Sequence, residues 1–198
     1  MQMMDEAERR NPGPWVKHSI FAAQAAGIIA SLHPALDPSV AYILGYLHDI
    51  GRREGVTSNR HIIDGYYYLL RKGYDDAARV CLTHPFPLKN ISAISGIWDC
   101  SQEEFEYVNS FLSNTEFTTY DRLIQLCDAL ATPTGFCLIE KRMVDVAIRY
   151  GVNSFTVEKW KAHFEIQKEF EQAIGESIYR LLPGVVKNTF GVDSFQNE

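Results

Sequence analysis

At 198 residues the chain suits one domain, or one domain with an extension. Its 46% apolar and 22% charged residues are ordinary globular values, and 13 Gly with 8 Pro are too few for a fibrous or low-complexity chain. The 19 basic and 25 acidic residues leave a net charge of −6, which excludes the broad basic surface of a sequence-independent nucleic-acid binder but allows a local cation cluster for a small anion.

Residues 1–10 are strongly charged and lack the apolar run of a signal peptide. Residues 14–32 carry an apolar stripe at Phe21, Ala22, Ala25, Ile28, Ile29 and Leu32, with Pro14 near the start and Pro34 past the end, which predicts a helix. Its apolar run, interrupted by Gln24 and Ser31, is too short to cross a bilayer. Asp37 as N-cap and Pro38 behind it open a second helix with Val40, Ile43, Leu44 and Leu47, and Gly51 is expected to stop it. A third helix spans about 61–72, capped by Ser58 or Asn59 and ended by Gly73. A fourth, about 75–84, must stop before Pro85. Further helices are expected over 101–112, over 120–131, from the Thr132-Pro133-Thr134-Gly135 break to residue 150, and over 156–182.

Strand signals are nearly absent, so the expected fold is all-α, a compact helical bundle. Residues 14–150 are expected to form the main domain and 151–198 a helical extension packed on it. The four cysteines, Cys81, Cys100, Cys127 and Cys137, contain no CxxC pair and are expected as free thiols of a cytoplasmic protein.

The informative residues are polar ones in apolar registers. His18 falls in line with the stripe of the first helix; His48 and Asp49 sit in the last turn of the second; Asp128 lies at the edge of a later stripe. One histidine on such a face is usually a satisfied core residue. A buried carboxylate needs a cation or several donors, and the C-terminal end of a helix repels an Asp. Together the four residues point to a divalent cation held between three helices. Imidazole with carboxylate suits Fe, Mn, Ni, Co or Zn, and the oxygen share also permits Mg.

The order His18, then His48-Asp49-Ile50-Gly51, then Asp128 resembles the HD superfamily of metal-dependent phosphohydrolases, over roughly residues 14–150. The resemblance implies an HD-type helical bundle with His18, His48, Asp49 and Asp128 as metal ligands. His61, with Gly65 one turn on, and His84 resemble the second-ion ligands of two-metal subfamilies, with Asp49 serving both ions. The plainer alternative makes His61 and His84 polar pocket residues that touch substrate or water. Asp49, orienting the attacking water, and Arg52, gripping phosphate oxygens in a bidentate fork, are the expected catalytic residues. Arg53 is expected to be solvated. Lys17, Lys89 and Arg142 are weaker phosphate-binding candidates, and His33 and His163 are expected at the surface. Tyr66, Tyr67 and Tyr68 are expected mainly in packing.

The implied reaction is hydrolysis of a small phosphorylated substrate, a nucleotide foremost, by metal-activated water. That covers phosphomonoesterase, phosphodiesterase and nucleotide pyrophosphohydrolase chemistry, with deoxynucleoside monophosphates among the substrates. The residue order and short length are similar to small bacterial hydrolases that split dinucleoside tetraphosphates symmetrically, although Ala129-Leu130-Ala131-Thr132-Pro133-Thr134 departs from that group's pattern. The His-Pro-Phe-Pro run at His84 excludes the cyclic-di-GMP subgroup. The competing expectation is a non-catalytic, metal-stabilised HD module that senses a small ligand. The partners expected are the substrate alone, with no nucleic-acid polymer and no membrane, and with a homodimer admitted.

Overall fold

The computed structural model describes residues 2–193. Residue 1 and residues 194–198, the end of the expected C-terminal extension, lie outside the described residues.

A short charged helix, α1 (Gln2–Arg10), inserts Met4 and Ala7 into the core. Next comes α2 (Pro14–Leu32), whose Ala22, Ala23, Ala25 and Ala26 are fully buried. Alanines have no long side chains to hold a neighbour off, so α3 (Pro38–Leu47) packs closely along this face. The Asp37 carboxylate caps α3, accepting from the backbone N–H of Ser39 at 2.7 Å and of Val40 at 3.0 Å.

The expected stop at Gly51 is corrected: α3 ends at Leu47, and His48-Asp49 form a turn into a 3₁₀ helix, Ile50–Glu54. Gly51 serves a different purpose. A Cβ there would lie 1.9 Å from the carbonyl oxygen of His61 and 2.4 Å from the backbone nitrogen of Gly65. Only a missing side chain lets the 3₁₀ helix lie backbone to backbone on α4 (Arg60–Leu70), which brings His61 beside Asp49.

The side chain of Asn59 makes no cap bond to α4. The Asp99 carboxylate, about forty residues away, accepts the N–H groups of Ser58, Asn59 and Arg60, each at 2.7 Å. Two further helices follow, α5 (Asp75–Thr83) and α6 (Gln102–Asn114). Ser101 and Glu104 form a reciprocal capping box at the start of α6. Beneath α4, α5 and α6 lies a second apolar cluster around Ile62, Ile63, Leu82, Phe86, Val108 and Leu112.

Helix α7 (Thr119–Leu130) runs through the middle and packs on α2, α3 and α5. Its Leu123, Ile124, Leu126, Cys127 and Leu130 are fully buried, each large aliphatic side chain contributing about 1.5–3 kcal/mol relative to exposure. The Thr132–Gly135 break is an antiparallel hairpin of β1 (Ala131–Thr132) and β2 (Gly135–Phe136), with Ala131 opposite Phe136.

Beyond it lie α8 (Ile139–Tyr150) and α9 (Thr156–Ile174), the latter packed on α7 and α2. The single helix expected over 156–182 is corrected. Gly175 adopts φ +75° and closes α9, after which α10 (Ile178–Leu181) and α11 (Val185–Phe190) follow. Glu171 stabilises the break by accepting from the Ser177 hydroxyl and the Ile178 N–H.

The all-α expectation therefore stands, with one two-stranded hairpin among the described residues. The four cysteines are unpaired, and no described helix is long and apolar enough to cross a membrane.

Candidate metal centre

Five of the six expected metal ligands, His18, Asp49, His61, His84 and Asp128, line the base of one cavity of about 620 Å³, with His48 fully buried against His18 and His84. His18 comes from α2, His48 and Asp49 from the turn after α3, His61 from the first turn of α4, His84 from the end of α5 and Asp128 from the last turns of α7. His18, His48, Asp49, His61 and His84 are all buried. Two sets of three have ligand atoms within 4.8 Å of one another: His18, His48 and Asp49, and then Asp49, His61 and His84. Asp128 joins the first set, its Oδ1 lying 2.9 Å from His18 Nε2 and 4.0 Å from His48 Nε2.

Each imidazole is held by its Nδ1 edge. His18 Nδ1 faces the Ala131 carbonyl at 3.2 Å, His48 faces Gly45 at 2.7 Å, His61 faces Ser58 at 2.7 Å and His84 faces Cys81 at 3.0 Å. A carbonyl oxygen only accepts, so Nδ1 carries the proton and the lone pair of a neutral ring is at Nε2. Backbone carbonyls thus fix both ring orientation and tautomer, the arrangement that metal-ligating histidines require. The hairpin contributes here, because Ala131 belongs to β1.

The four Nε2 atoms point toward two carboxylates. His61 Nε2 lies 3.1 Å and His84 Nε2 3.7 Å from Asp49 Oδ1, and His48 Nε2 lies 3.9 Å from Asp49 Oδ2. His48 Nε2 and Asp49 Oδ1 are buried without a hydrogen-bond partner. A cluster of acceptors facing acceptors is repulsive, and a shared divalent cation resolves it. The donor set therefore fits the metal expected from the sequence. Two carboxylates with up to four imidazoles suit a first-row divalent ion.

The electrostatics agree. Burial lowers the affinity of His18, His61 and His84 for a proton, which takes His84 down to about 3 and leaves these rings neutral. Burial would by itself raise the Asp49 carboxyl, but the Arg52 guanidinium foremost outweighs it, with His61 and His48 adding to the pull when protonated, and holds the group well below the usual range. Asp128 is likewise raised by burial but held well below the usual range by its two neighbours, the His18 ring to the extent that Nε2 takes a proton and the Arg142 guanidinium throughout. Both are carboxylates at neutral pH.

Arg52 lies across the second set. Its Nε donates to Asp49 Oδ2 at 2.7 Å, and its Nη2 sits 3.2 Å from His61 Nε2. The bidentate fork foreseen for phosphate is thus turned toward Asp49 and His61. Arg53 is corrected: it is buried, pairs with Glu6 at 2.7 Å and lies 4.0 Å over the Tyr68 ring. Lys17 is exposed, and Lys89 pairs with Glu116 at 3.0 Å. Arg142 does reach the cavity, 3.6 Å from Asp128. His33 is half-buried in a turn, accepting the Ala35 N–H. His163, expected at the surface, is buried and lines the same cavity as Lys159.

Three contributors escape the sequence reading. Asp99 orients the loop that carries Ser58, and through it His61. Lys159 and His163 are masked by the charged residues around them, although both fall on the buried stripe of α9 with Ala162, Ile166 and Phe170.

The family model for the HD domain matches residues 15–132, and the chain belongs to that family, the HD superfamily of metal-dependent phosphohydrolase-type domains. No curated protein and no solved structure matches it significantly.

Proposed function

We propose that the protein is a metal-dependent phosphohydrolase acting on a small phosphorylated substrate, with nucleotides the leading class. The observation that supports this most is the convergence of four Nε2 lone pairs and two ionised carboxylates at the base of an open cavity that also holds guanidinium groups. His18, His48, Asp49 and Asp128 would hold one divalent ion, and Asp49, His61 and His84 a second, which would have to take His61 Nε2 from Arg52. The chemistry such an ion supplies is acidification of a water and polarisation of a phosphoryl oxygen.

The chain's own residues do the rest. Asp49, ionised and held by Arg52, is an acceptor that orients the attacking water and does not act as an acid. Arg52 and Arg142 line the cavity and offset phosphate charge. The buried imidazoles keep the ligand geometry rigid through their carbonyl contacts. No additional Ser or Cys nucleophile is required.

The test is phosphate release from p-nitrophenyl phosphate, nucleoside monophosphates and dinucleoside polyphosphates by protein reloaded with Mn, Co, Ni, Fe or Zn. Turnover with at least one class is expected, reduced by about a hundred-fold or more in Asp49→Ala. Fully loaded protein inert on the whole panel would contradict the proposal and favour a metal-stabilised sensing module.

A further inference from the structure

The HD-family match ends at residue 132, yet the cavity is closed on one side by side chains from α8 and α9. Four of them are basic or imidazole groups: Arg142, Arg149, Lys159 and His163; Arg149 is paired to Asp145, which leaves the other three. Arg142 Nε is buried without a hydrogen-bond partner, and so is His163 Nδ1 on a residue only 8% exposed. The one hydrogen bond of the Lys159 ammonium is a long one, 3.4 Å to Ser95 Oγ. The three groups act on one another and on Asp128 electrostatically, which places them together beside the metal ligands.

Buried polar groups without partners, Arg142 Nε a donor and His163 Nδ1 a donor or acceptor by tautomer, are costly unless a ligand satisfies them. The charge is also out of place for a structural role. The chain as a whole carries −6, yet here a half-buried ammonium stands beside a guanidinium with Asp128, 3.6 Å from Arg142, as the one carboxylate acting on both, so the local balance is positive. Of the cavity's other acidic groups, Asp49 is paired to Arg52 at 2.7 Å, and Asp145 is shared, 2.7 Å from Arg149 and a long 3.5 Å from Arg142. Burial, opposed by Asp128 and reinforced by Arg142, brings the Lys159 ammonium down to about 8, so it is still mostly charged at neutral pH.

We infer that Arg142, Lys159 and His163 form an anion-binding wall that holds a phosphoryl group of the substrate, on a part of the chain outside the HD-family match. This rests on the phosphohydrolase reading for the identity of the ligand but not for the existence of the wall. Arg142 supplies a planar fork, Lys159 a point charge, and neutral His163 one ring N–H. Their position on α8 and α9 lets the substrate preference of this chain differ from that of other HD domains without any change in the metal ligands.

The experiment is calorimetric titration of the purified protein with inorganic phosphate, comparing wild type with Lys159→Met, Arg142→Gln and His163→Gln. Lys159→Met removes a half-buried charge and retains the aliphatic stem, so its melting temperature should equal or exceed that of wild type. Lys89→Met, outside the cavity, is the control. Phosphate affinity should fall by about ten-fold or more in Lys159→Met and Arg142→Gln, with metal content unchanged and the control unaffected. Phosphate affinity within about two-fold of wild type in both variants, or no phosphate binding by wild type, would overturn the wall. Hydrolysis assayed on the same samples separates the two claims. Wild type that turns over nucleotides while Lys159→Met binds phosphate normally sinks the wall alone. Wild type that hydrolyses nothing while Lys159→Met loses phosphate sinks the hydrolase reading alone.

Discussion

Helix α7 carries two carboxylates two turns apart, and their surroundings are opposite. Asp121 is fully buried and saturated with donors: Arg79 Nη2 at 2.7 Å, the Thr83 hydroxyl at 2.7 Å, and the Thr118 N–H and hydroxyl at 2.7 and 2.8 Å. Asp128 keeps 26% of its side chain open to the cavity, and its nearest neighbour at 2.9 Å is an imidazole nitrogen whose ring donates from its other edge. A buried carboxylate with a full donor set is part of the scaffold. A carboxylate facing lone pairs is half of a cation site. The same residue type on the same helix therefore has two meanings, and only the identity of the groups opposite tells them apart.

The largest expected effect comes from breaking the saturated side. Asp121→Ala leaves Arg79 and Thr83 without their acceptor and undoes the Thr118 capping box, and should cost roughly 3 kcal/mol or more of folding free energy. Urea unfolding in chelator measures it. Asp128→Ala in the same buffer should change stability by about 1 kcal/mol or less, because its carboxylate is a quarter open to the cavity and its closest neighbour is His18 Nε2, with no full donor set around it. An equal loss in both variants would erase the distinction.

A smaller effect appears on adding metal. At a hundred-fold excess over the dissociation constant, an ion bound only by the folded state stabilises it by about 2.7 kcal/mol. Wild type and Asp121→Ala should both gain this increment and Asp128→Ala should not, as read from the melting temperature with and without Mn.

Smaller still is the acid response. Burial raises the Asp121 carboxyl, but Arg79, Thr83 and Thr118 outweigh it and hold the folded value below the ordinary 3.8. The unfolded chain therefore takes up the proton first. The contribution of Asp121 is fully present above pH 3.8 and is lost as pH falls through the lower folded value. In chelator, the stability difference between wild type and Asp121→Asn should shrink below about pH 4 and stay constant above about pH 5. A difference that widens on acidification would reverse the sign.

Much of the site is legible in the sequence, because His18, His48-Asp49 and Asp128 interrupt apolar registers that local periodicity reveals. The same logic applied to α9 finds Lys159 and His163 on the stripe with Ala162, Ile166 and Phe170, but Lys161, Glu165 and Lys168 around them disguise it. Arg53 misleads for the converse reason: its partners Glu6 and Tyr68 are remote in sequence, so an Arg-Arg pair reads as solvated. The Asp99 cap of α4 has no local signal at all, since its three N–H donors lie about forty residues earlier. Gly175, with Glu176-Ser177 behind it, is the available sign that the helix over 156–182 must break. The helices themselves follow from caps and stripes; what the chain does not display locally is every contact made between distant segments.

The central claim is that Asp49 and Asp128 belong to a metal centre and Asp121 does not. Elemental analysis of protein purified without chelator, then reconstituted with excess Mn, tests it most directly. Wild type and Asp121→Asn should carry about one to two divalent ions per chain, and Asp49→Ala should carry none. Wild type that stays metal-free after reconstitution, or Asp49→Ala that retains full occupancy, would contradict the account.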